Sequence, residues 1–310
     1  MEVERDSHTS PPPSLFAETI PIIDLSNPDE ELVARAVVKA SQEWGIFHLV
    51  NHGITTDLIS RLKEVGSEFF ELPTTEKKAV AKPDDSQDYE GYTRNLQYTE
   101  GEVWAENLFH RLWPQSCINF DYWPKNPPHY RKVTEEYTRE MKKLSERILG
   151  VLSEGLGLQR EALKEGLGGE TVEYVMRINN FPPNPQPDSN LGLPEHTDII
   201  AIAFIVTNEV PGLQVSKDDH WFDVHYIPSA ITVTIGDQIL RLSNGKYKNV
   251  LHRVTVDKEK QRMSWPVFVD ANPDVVIKPL PELNTDNPSK FKPITCKDFK
   301  YCRLLKLPVD

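Results

Sequence analysis

Apolar residues in the first part of the chain follow two different periods. TIPIIDLS (19–26) and IFHLVNHG (46–53) contain short apolar runs bounded by turn residues and predict two strands. Residues 27–45 between them have helical spacing, with Asn27 or Asp29 as a candidate N-cap and acidic residues in the first turn. The sequence therefore predicts a strand, a helix and a second strand at the start of the fold.

Two further helices follow, with a less regular segment between them. TTDLISRLKEVGSEFFELP (55–73) predicts a helix that ends before its final proline. Over 129–152 apolar residues recur three and four positions apart, with charged residues on the other face, which predicts a long amphipathic helix. Residues 83–128 carry many aromatic residues and prolines without a clear period, and we expect irregular structure with some strand there.

After Gly169 the pattern changes to short alternating runs separated by turn signals such as Pro211-Gly212 and Asn244-Gly245. Many short antiparallel strands at this spacing are typical of a sandwich or jelly-roll barrel. We therefore expect an α+β fold, a double-stranded β-helix (jelly roll) with a helical N-terminal region. The runs cover residues 171–181, 199–206, 212–216, 221–226, 230–235, 248–256 and 261–270.

These patterns predict three parts of the chain. Residues 1–18, with three consecutive prolines and few apolar anchors, predict a disordered tail. Residues 19–169 form the helical N-terminal region, and 170–310 form the jelly-roll domain with a C-terminal extension.

Composition narrows the classes of function. A net charge of −12 argues against nucleic-acid binding. The chain has neither a long apolar run nor the apolar core of a secretory signal, so we expect no membrane insertion. Its three cysteines, Cys117, Cys296 and Cys302, fit neither a disulfide framework nor a zinc site. Free thiols in a cytoplasmic protein are the expectation.

Three residues form a candidate metal site. His196 and Asp198 stand two apart at the head of an apolar run, where period two would put both on one face of an extended chain. They could be a plain hydrogen-bonded pair, but His252 lies in another apolar run, NVLHRVTV. Two imidazoles and one carboxylate suit a non-haem Fe(II) site with open coordination positions. Zinc is the competing metal for such ligands.

Arg262 and Ser264 favour iron. They share one face of a predicted strand ten residues after His252, and a guanidinium beside a hydroxyl suits the distal end of a dicarboxylate. A core-edge arginine paired with an aspartate would be ordinary in isolation. The combination with the candidate metal ligands predicts a site for Fe(II) and 2-oxoglutarate.

The chain resembles the plant 2-oxoglutarate-dependent dioxygenases, and among them the flavonol synthases, over almost its whole length from residue 19. The segments that carry the resemblance include IPIIDLS, EWGIFHLVNHG, FFELP, WPKNPP, EVPGLQV, YIPSAI, IGDQILRLSNGKYKNVLHR and RMSWPVF. The resemblance implies a distorted jelly roll, and a reaction in which Fe(2+), 2-oxoglutarate and O2 convert a dihydroflavonol to a flavonol through a C2–C3 double bond. Ascorbate would support such a reaction.

The resemblance also implies residue roles. His196, Asp198 and His252 would bind iron, and Arg262 and Ser264 would bind the far carboxylate of 2-oxoglutarate. Two aromatic residues and one asparagine would complete the site: Asn179 beside the co-substrate, and Phe109 and Phe268 against the flavonoid rings.

Four positions depart from the flavonol synthase pattern. Phe181 stands where a co-substrate-binding tyrosine is expected. Arg177, Asn107 and Asp270 replace an expected lysine, histidine and glutamate of the substrate pocket. The segment before IPIIDLS is also shorter than usual.

These departures leave three hypotheses open. The protein is a working but weak flavonol synthase, a dioxygenase acting on another flavonoid or small aromatic, or a catalytically degenerate binding protein of the same fold. In the first two cases the partner is a small molecule, with contacts to other enzymes of the pathway as an additional expectation.

Overall fold

The structure, a computed structural model, describes residues 19–83, 90–98, 101–184, 191–284 and 288–309, and for 95–98 and 101–104 it describes the backbone. The predicted disordered tail, 1–18, lies outside the described residues. The helices are α1 (Glu30–Glu43), α2 (Thr56–Glu71), α3 (Thr74–Lys78), α4 (Tyr130–Gly155), α5 (Ala162–Gly166), α6 (Asp237–Leu242) and α7 (Cys296–Leu304). None of these helices is both long and apolar enough to cross a bilayer.

Two facing sheets form the barrel. The strands of the larger sheet are, in spatial order, β1 (Ile22–Asp24), β2 (Ile46–Val50), β10 (Ile231–Ile235), β7 (Ile202–Thr207), β12 (Arg262–Asp270), β5 (Glu173–Phe181), β4 (Gly101–Trp113) and β3 (Gly91–Tyr98). Those of the smaller sheet are β6 (Leu191–His196), β11 (His252–Thr255), β8 (Leu213–Lys217) and β9 (His220–Asp223). A short pair, β13 (Val276–Ile277) and β14 (Ile294–Thr295), precedes α7. This arrangement confirms the predicted α+β jelly roll.

The helices of the N-terminal region cover one face of the larger sheet. Helix α1 begins at the predicted cap, because the Asp29 carboxylate accepts a hydrogen bond of 2.8 Å from the amide of Leu32. Helix α4 buries the predicted stripe that includes Tyr137, Met141 and Ile148. These side chains join the outward-facing residues of the strands in one apolar core, while a second core fills the space between the two sheets.

The expectation of irregular structure over 83–128 was wrong in part. Strands β3 and β4 form a long hairpin that pairs with β5 and extends the larger sheet. Their alternation was hidden because polar side chains such as Asn107 and Arg111 stand on the inner face of the sheet, where an apolar residue is expected. The sheet therefore contains four strands from the N-terminal region, and the division at residue 169 stays a prediction.

The segment that carries His196 and Asp198 is a crossover between the sheets and not the start of one strand. His196 ends β6 in the smaller sheet, and β7 begins at Ile202 in the larger one. We call residues 197–201 the metal loop. The sequence did not show β6, because LGLPEH lacks an alternating apolar pattern.

Gly236 allows two backbones to approach closely. Its φ of −102° and ψ of −179° are extended values that any residue can adopt. A Cβ there would lie 2.1 Å from the carbonyl oxygen of Ile200 in the metal loop. The glycine therefore lets the start of α6 pack directly on that loop.

We expect Gly236→Ala to lower the free energy of unfolding by about 1–3 kcal/mol, because a methyl group collides with backbone that cannot move aside cheaply. Urea denaturation measures this change. Gly150→Ala in α4 is the matched control, since its Cβ meets only the flexible side chain of Arg160. Equal stability of the Gly236→Ala variant and the parent protein would contradict the close-approach explanation.

Candidate active site

The three predicted metal ligands converge at the crossover between the two sheets. His196 and His252 are direct partners in the β6–β11 pairing, and their ring centroids lie 4.3 Å apart. Their Nε2 atoms lie 3.8 and 3.7 Å from Oδ1 of Asp198. Among the described residues this is the one cluster of histidine, cysteine and acidic side chains with metal-binding geometry.

Backbone carbonyls fix the orientation of both imidazoles. Nδ1 of His196 lies 2.7 Å from the carbonyl oxygen of Pro194, and Nδ1 of His252 lies 3.1 Å from that of Val250. A carbonyl oxygen only accepts, so each Nδ1 carries the proton and each Nε2 keeps a lone pair toward Asp198. Burial is the main cause that lowers the pKa of His196 and so favours its neutral form. Both rings are therefore prepared to bind a cation.

Thr234, which the sequence analysis missed, orients the carboxylate of Asp198. Its hydroxyl donates to Oδ2 of Asp198 at 3.2 Å, which leaves Oδ1 directed at the histidines. Thr234 is fully buried on β10, and it is 36 positions from Asp198 in the chain. Only its place on the inward face of β10, with period two, could have suggested this role.

Arg262 and Ser264 lie deeper in the barrel, on β12. Arg262 is 2% exposed, and its Nε and Nη1 have no hydrogen-bond partner among the residues that the structure describes. Burial lowers the pKa of its guanidinium to about 10, so the group stays charged at neutral pH. Ser264 accepts a hydrogen bond of 3.0 Å from the side-chain amide of Asn179, whose own buried oxygen has no partner in the described part of the chain. The structure thus brings three of the four predicted co-substrate residues together on β12 and β5, and the fourth is Phe181.

A buried guanidinium without an anion is unfavourable, so the unpartnered donors of Arg262 indicate that the ligand is an anion. A carboxylate placed there would accept from both nitrogens. At the other end, nitrogen and oxygen ligands bind first-row metals at roughly 2 Å, so ligands of one ion lie up to about 4 Å apart. The observed 3.7 and 3.8 Å satisfy that limit. The residues present therefore fit both Fe(II) and 2-oxoglutarate.

Phe181 faces the same region from β5. It is 1% exposed, is the register partner of Arg262, and its ring centroid lies 5.8 Å from Cζ of Arg262. A cavity lies beside Arg262, bordered by His48, Thr207 and Thr232. The metal ligands do not border this cavity, which belongs to the Arg262 end of the barrel.

Four of the five predicted substrate-shell residues lie on neighbouring strands toward the other end of the inner face. The rings of Phe109 and Phe268 stack, with centroids 6.4 Å apart and planes at 30°. Arg177 is the register partner of Phe109, and its Nε donates to Oδ1 of Asn107 at 3.0 Å. Arg177 lies close enough to His196 that its charge contributes to lowering the pKa of that imidazole.

Asp270 has a different environment from the other four. It is 4% exposed, accepts a hydrogen bond of 2.7 Å from Nε2 of Gln238, and forms an ion pair with Lys300 of α7. Both carboxylate oxygens are therefore engaged by the protein itself. The partner on α7 could not be found from the sequence, because the two residues are 30 positions apart without a shared pattern.

We expect Thr234→Val to weaken Fe(II) binding about tenfold, since loss of an outer-shell partner typically costs 10–100-fold in affinity. Anaerobic titration of the metal-free protein with Fe(II) measures this. Thr234→Ser keeps the hydroxyl and is the matched control, with affinity near that of the parent. If Thr234→Val binds Fe(II) as tightly as Thr234→Ser, the hydroxyl does not position Asp198.

The chain is similar to known dioxygenases over most of its length. Residues 172–271 match a family described as the 2OG-Fe(II) oxygenase superfamily, and residues 20–137 match the non-haem dioxygenase in morphine synthesis N-terminal family. An Arabidopsis thaliana flavonol synthase/flavanone 3-hydroxylase is 64% identical over 94% of this chain and 88% of its own length. A second protein of that plant, provisionally named inactive flavonol synthase 2, is 76% identical over 77% of this chain and 96% of its own.

A solved structure of JOX2 in complex with 2OG, Fe and JA has the same fold. Its TM-score is 0.85 at 40% identity, over 92% of this chain and 84% of that one. Iron, 2-oxoglutarate and O2 are the cofactor and co-substrates of this superfamily, and the residues described above fit the first two. The chain belongs to the flavonol synthase family of Fe(II)- and 2-oxoglutarate-dependent dioxygenases.

Proposed function

We propose that this protein oxidises a dihydroflavonol to a flavonol, by forming the C2–C3 double bond, and that it does so slowly. One observation carries the proposal: the metal and co-substrate end of the site has its polar groups in place, with the buried donors of Arg262 still available. The names of the relatives at high identity supply the substrate class. The changed substrate shell is the reason to expect low turnover.

In the proposed site His196, Asp198 and His252 hold Fe(II), and Arg262 with Ser264 binds the distal carboxylate of 2-oxoglutarate. Asn179 and Phe181 line the co-substrate. When bound, iron and 2-oxoglutarate would activate O2 as the oxidant, and 2-oxoglutarate would be converted to succinate and carbon dioxide. The role of the protein residues is to orient and enclose the reactants.

The substrate shell acts through shape and through one charge. The stacked pair of Phe109 and Phe268 offers an aromatic wall for the flavonoid rings. Asn107 holds Arg177 by its Nε, so the remaining guanidinium nitrogens are available to oxygen atoms of the substrate. Asp270 contributes to the pocket indirectly, because Lys300 and Gln238 bind its carboxylate and fix its position in the pocket wall.

Arg177 also supports the second candidate, oxidation of another flavonoid or small aromatic. No ion pair of Arg177 occurs with a carboxylate of the residues that the structure describes, and a guanidinium favours planar anionic groups. A small aromatic with an ionised oxygen would satisfy it. The third candidate, a binding protein without catalysis, draws support from the relative provisionally named inactive.

Location and partners remain inferences. All three cysteines are free in the structure, which supports a cytoplasmic location. Contacts with other enzymes of the pathway, and support of the reaction by ascorbate, stay predictions.

Turnover assays decide between the three candidates. We expect purified protein with Fe(II), 2-oxoglutarate and ascorbate to release succinate when dihydroquercetin or dihydrokaempferol is added, and to form the corresponding flavonol. Asp198→Ala removes one of three protein ligands and should abolish both products. Succinate release with naringenin or another small aromatic, and none with dihydroflavonols, would favour the second candidate. Tight Fe(II) binding with no succinate from any of these compounds would favour the third.

Phe181→Tyr should raise the affinity for 2-oxoglutarate, because a hydroxyl on this ring adds a hydrogen bond to a charged group near Arg262. Such bonds contribute about 1.5–3 kcal/mol, and displaced water offsets a part. We therefore expect an increase of roughly tenfold. Isothermal titration of the Fe(II)-loaded protein measures it.

Arg262→Lys should change the 2-oxoglutarate affinity in the opposite direction. Lysine keeps the charge but loses the bidentate geometry, so it should weaken 2-oxoglutarate binding. The affinity for the flavonoid should change little in either variant. An unchanged 2-oxoglutarate affinity in both would place the co-substrate elsewhere.

A further inference from the structure

The C-terminal helix α7 is attached to the barrel by two buried side chains and by two ion pairs. Cys296 and Phe299 are the buried residues among its nine. Lys300 and Arg303, one turn apart, each form an ion pair with a buried acid of the barrel, Asp270 and Asp237 respectively. The polar contacts therefore join the helix to the residues around the metal loop.

Arg303 reaches into the metal loop itself. Its Nη2 donates to Oγ1 of Thr197 at 2.7 Å and lies 2.9 Å from Oδ2 of Asp237. Thr197 is the residue between the predicted metal ligands His196 and Asp198. A single guanidinium nitrogen on α7 thus links the metal loop to the first turn of α6.

Asp237 is built into the other side of the metal loop. Its amide donates to the carbonyl oxygen of Asp198 at 2.8 Å, and its Oδ1 accepts from Asn249 at 2.6 Å. Its side chain is 7% exposed, so burial raises the pKa of the carboxyl and Arg303 acts against that rise. Arg303 therefore stabilises the buried carboxylate of Asp237, a residue whose backbone amide holds the carbonyl oxygen of Asp198.

The neighbouring contacts make this part of the structure stiff. Gly236 donates its amide to Ala201 at 2.8 Å, and the side chain of Gln238 donates both to the carbonyl oxygen of Ile199 and to Asp270. Since Asp270 pairs with Lys300, the metal loop, α6 and α7 form one connected polar network. A displacement of α7 would be transmitted to the position of Asp198.

We propose that Arg303 is a positioning residue for the metal site, and that docking of the C-terminal helix and binding of Fe(II) are coupled. The inference rests on the metal-binding part of the proposed function and on no assumption about the substrate. Coupling between two sites is reciprocal, so the helix strengthens iron binding to the same degree that iron strengthens docking of the helix.

The first test is the Fe(II) affinity of Arg303→Met, measured by anaerobic titration of the metal-free full-length protein. We expect affinity to fall about tenfold, the lower end of the range for lost outer-shell partners. Lys297→Met is the matched control, because it removes a cation from the same helix whose ion pair with Asp274 is exposed and distant from the metal loop. Its Fe(II) affinity should equal that of the parent.

Thr197→Val tests the same contact from the metal loop. If Arg303→Met does not fold, this variant shows whether the contact strengthens Fe(II) binding. It should also weaken Fe(II) binding, Thr197→Ser should restore it, and the double variant Arg303→Met, Thr197→Val should be less than additive. Hydrogen exchange of the α7 amides should slow when Fe(II) is added to the parent protein, and less so in Thr197→Val.

Two results would overturn the proposal. One is an Fe(II) affinity at the parent level in the folded Arg303→Met or Thr197→Val protein. A lower melting temperature of the metal-free variant would then show that the contact only stabilises the fold. The other is exchange in α7 that does not respond to Fe(II). Neither measurement uses a flavonoid, so failure here is distinct from failure of the proposed dihydroflavonol oxidation.

Discussion

Three atoms with lone pairs face one point at the mouth of the barrel, and this convergence is favourable only with a cation among them. Both imidazoles present an unprotonated Nε2 to the carboxylate of Asp198, because backbone carbonyls occupy their Nδ1 protons. The two histidines belong to the smaller sheet, whereas Asp198 lies on the crossover to the larger one. A metal bound there would join the two sheets.

A second positive charge lies deeper in the barrel. Arg262 is buried, and its Nε and Nη1 have no hydrogen-bond partner in the described part of the chain, so an anionic ligand would satisfy them. A dicarboxylate can meet both groups, because one end can bind a metal ion and the other can accept hydrogen bonds from the guanidinium.

The sequence predicted what depends on local pattern or on residue chemistry. Helix α1 was predictable because Asp29 and the acidic first turn mark its start. The convergence of His196, Asp198 and His252 was predictable because their residue types have few other uses together. The β3–β4 hairpin was hidden by the polar inner face that the site requires. The contact of Thr234 with Asp198 and the ion pair of Asp270 with Lys300 join distant segments, and no local pattern encodes such pairs.

The order of strands in the larger sheet has a consequence for how the chain reaches its fold. Strand β2 pairs with β10, and His48 meets Thr232 across a separation of 184 residues. Early strands therefore cannot find their neighbours until most of the polypeptide has been synthesised, and non-local pairing of this kind slows folding. Until then the apolar faces of α1, α2 and α4 lack the sheet that covers them. The nascent chain accordingly exposes apolar surface until the larger sheet is complete.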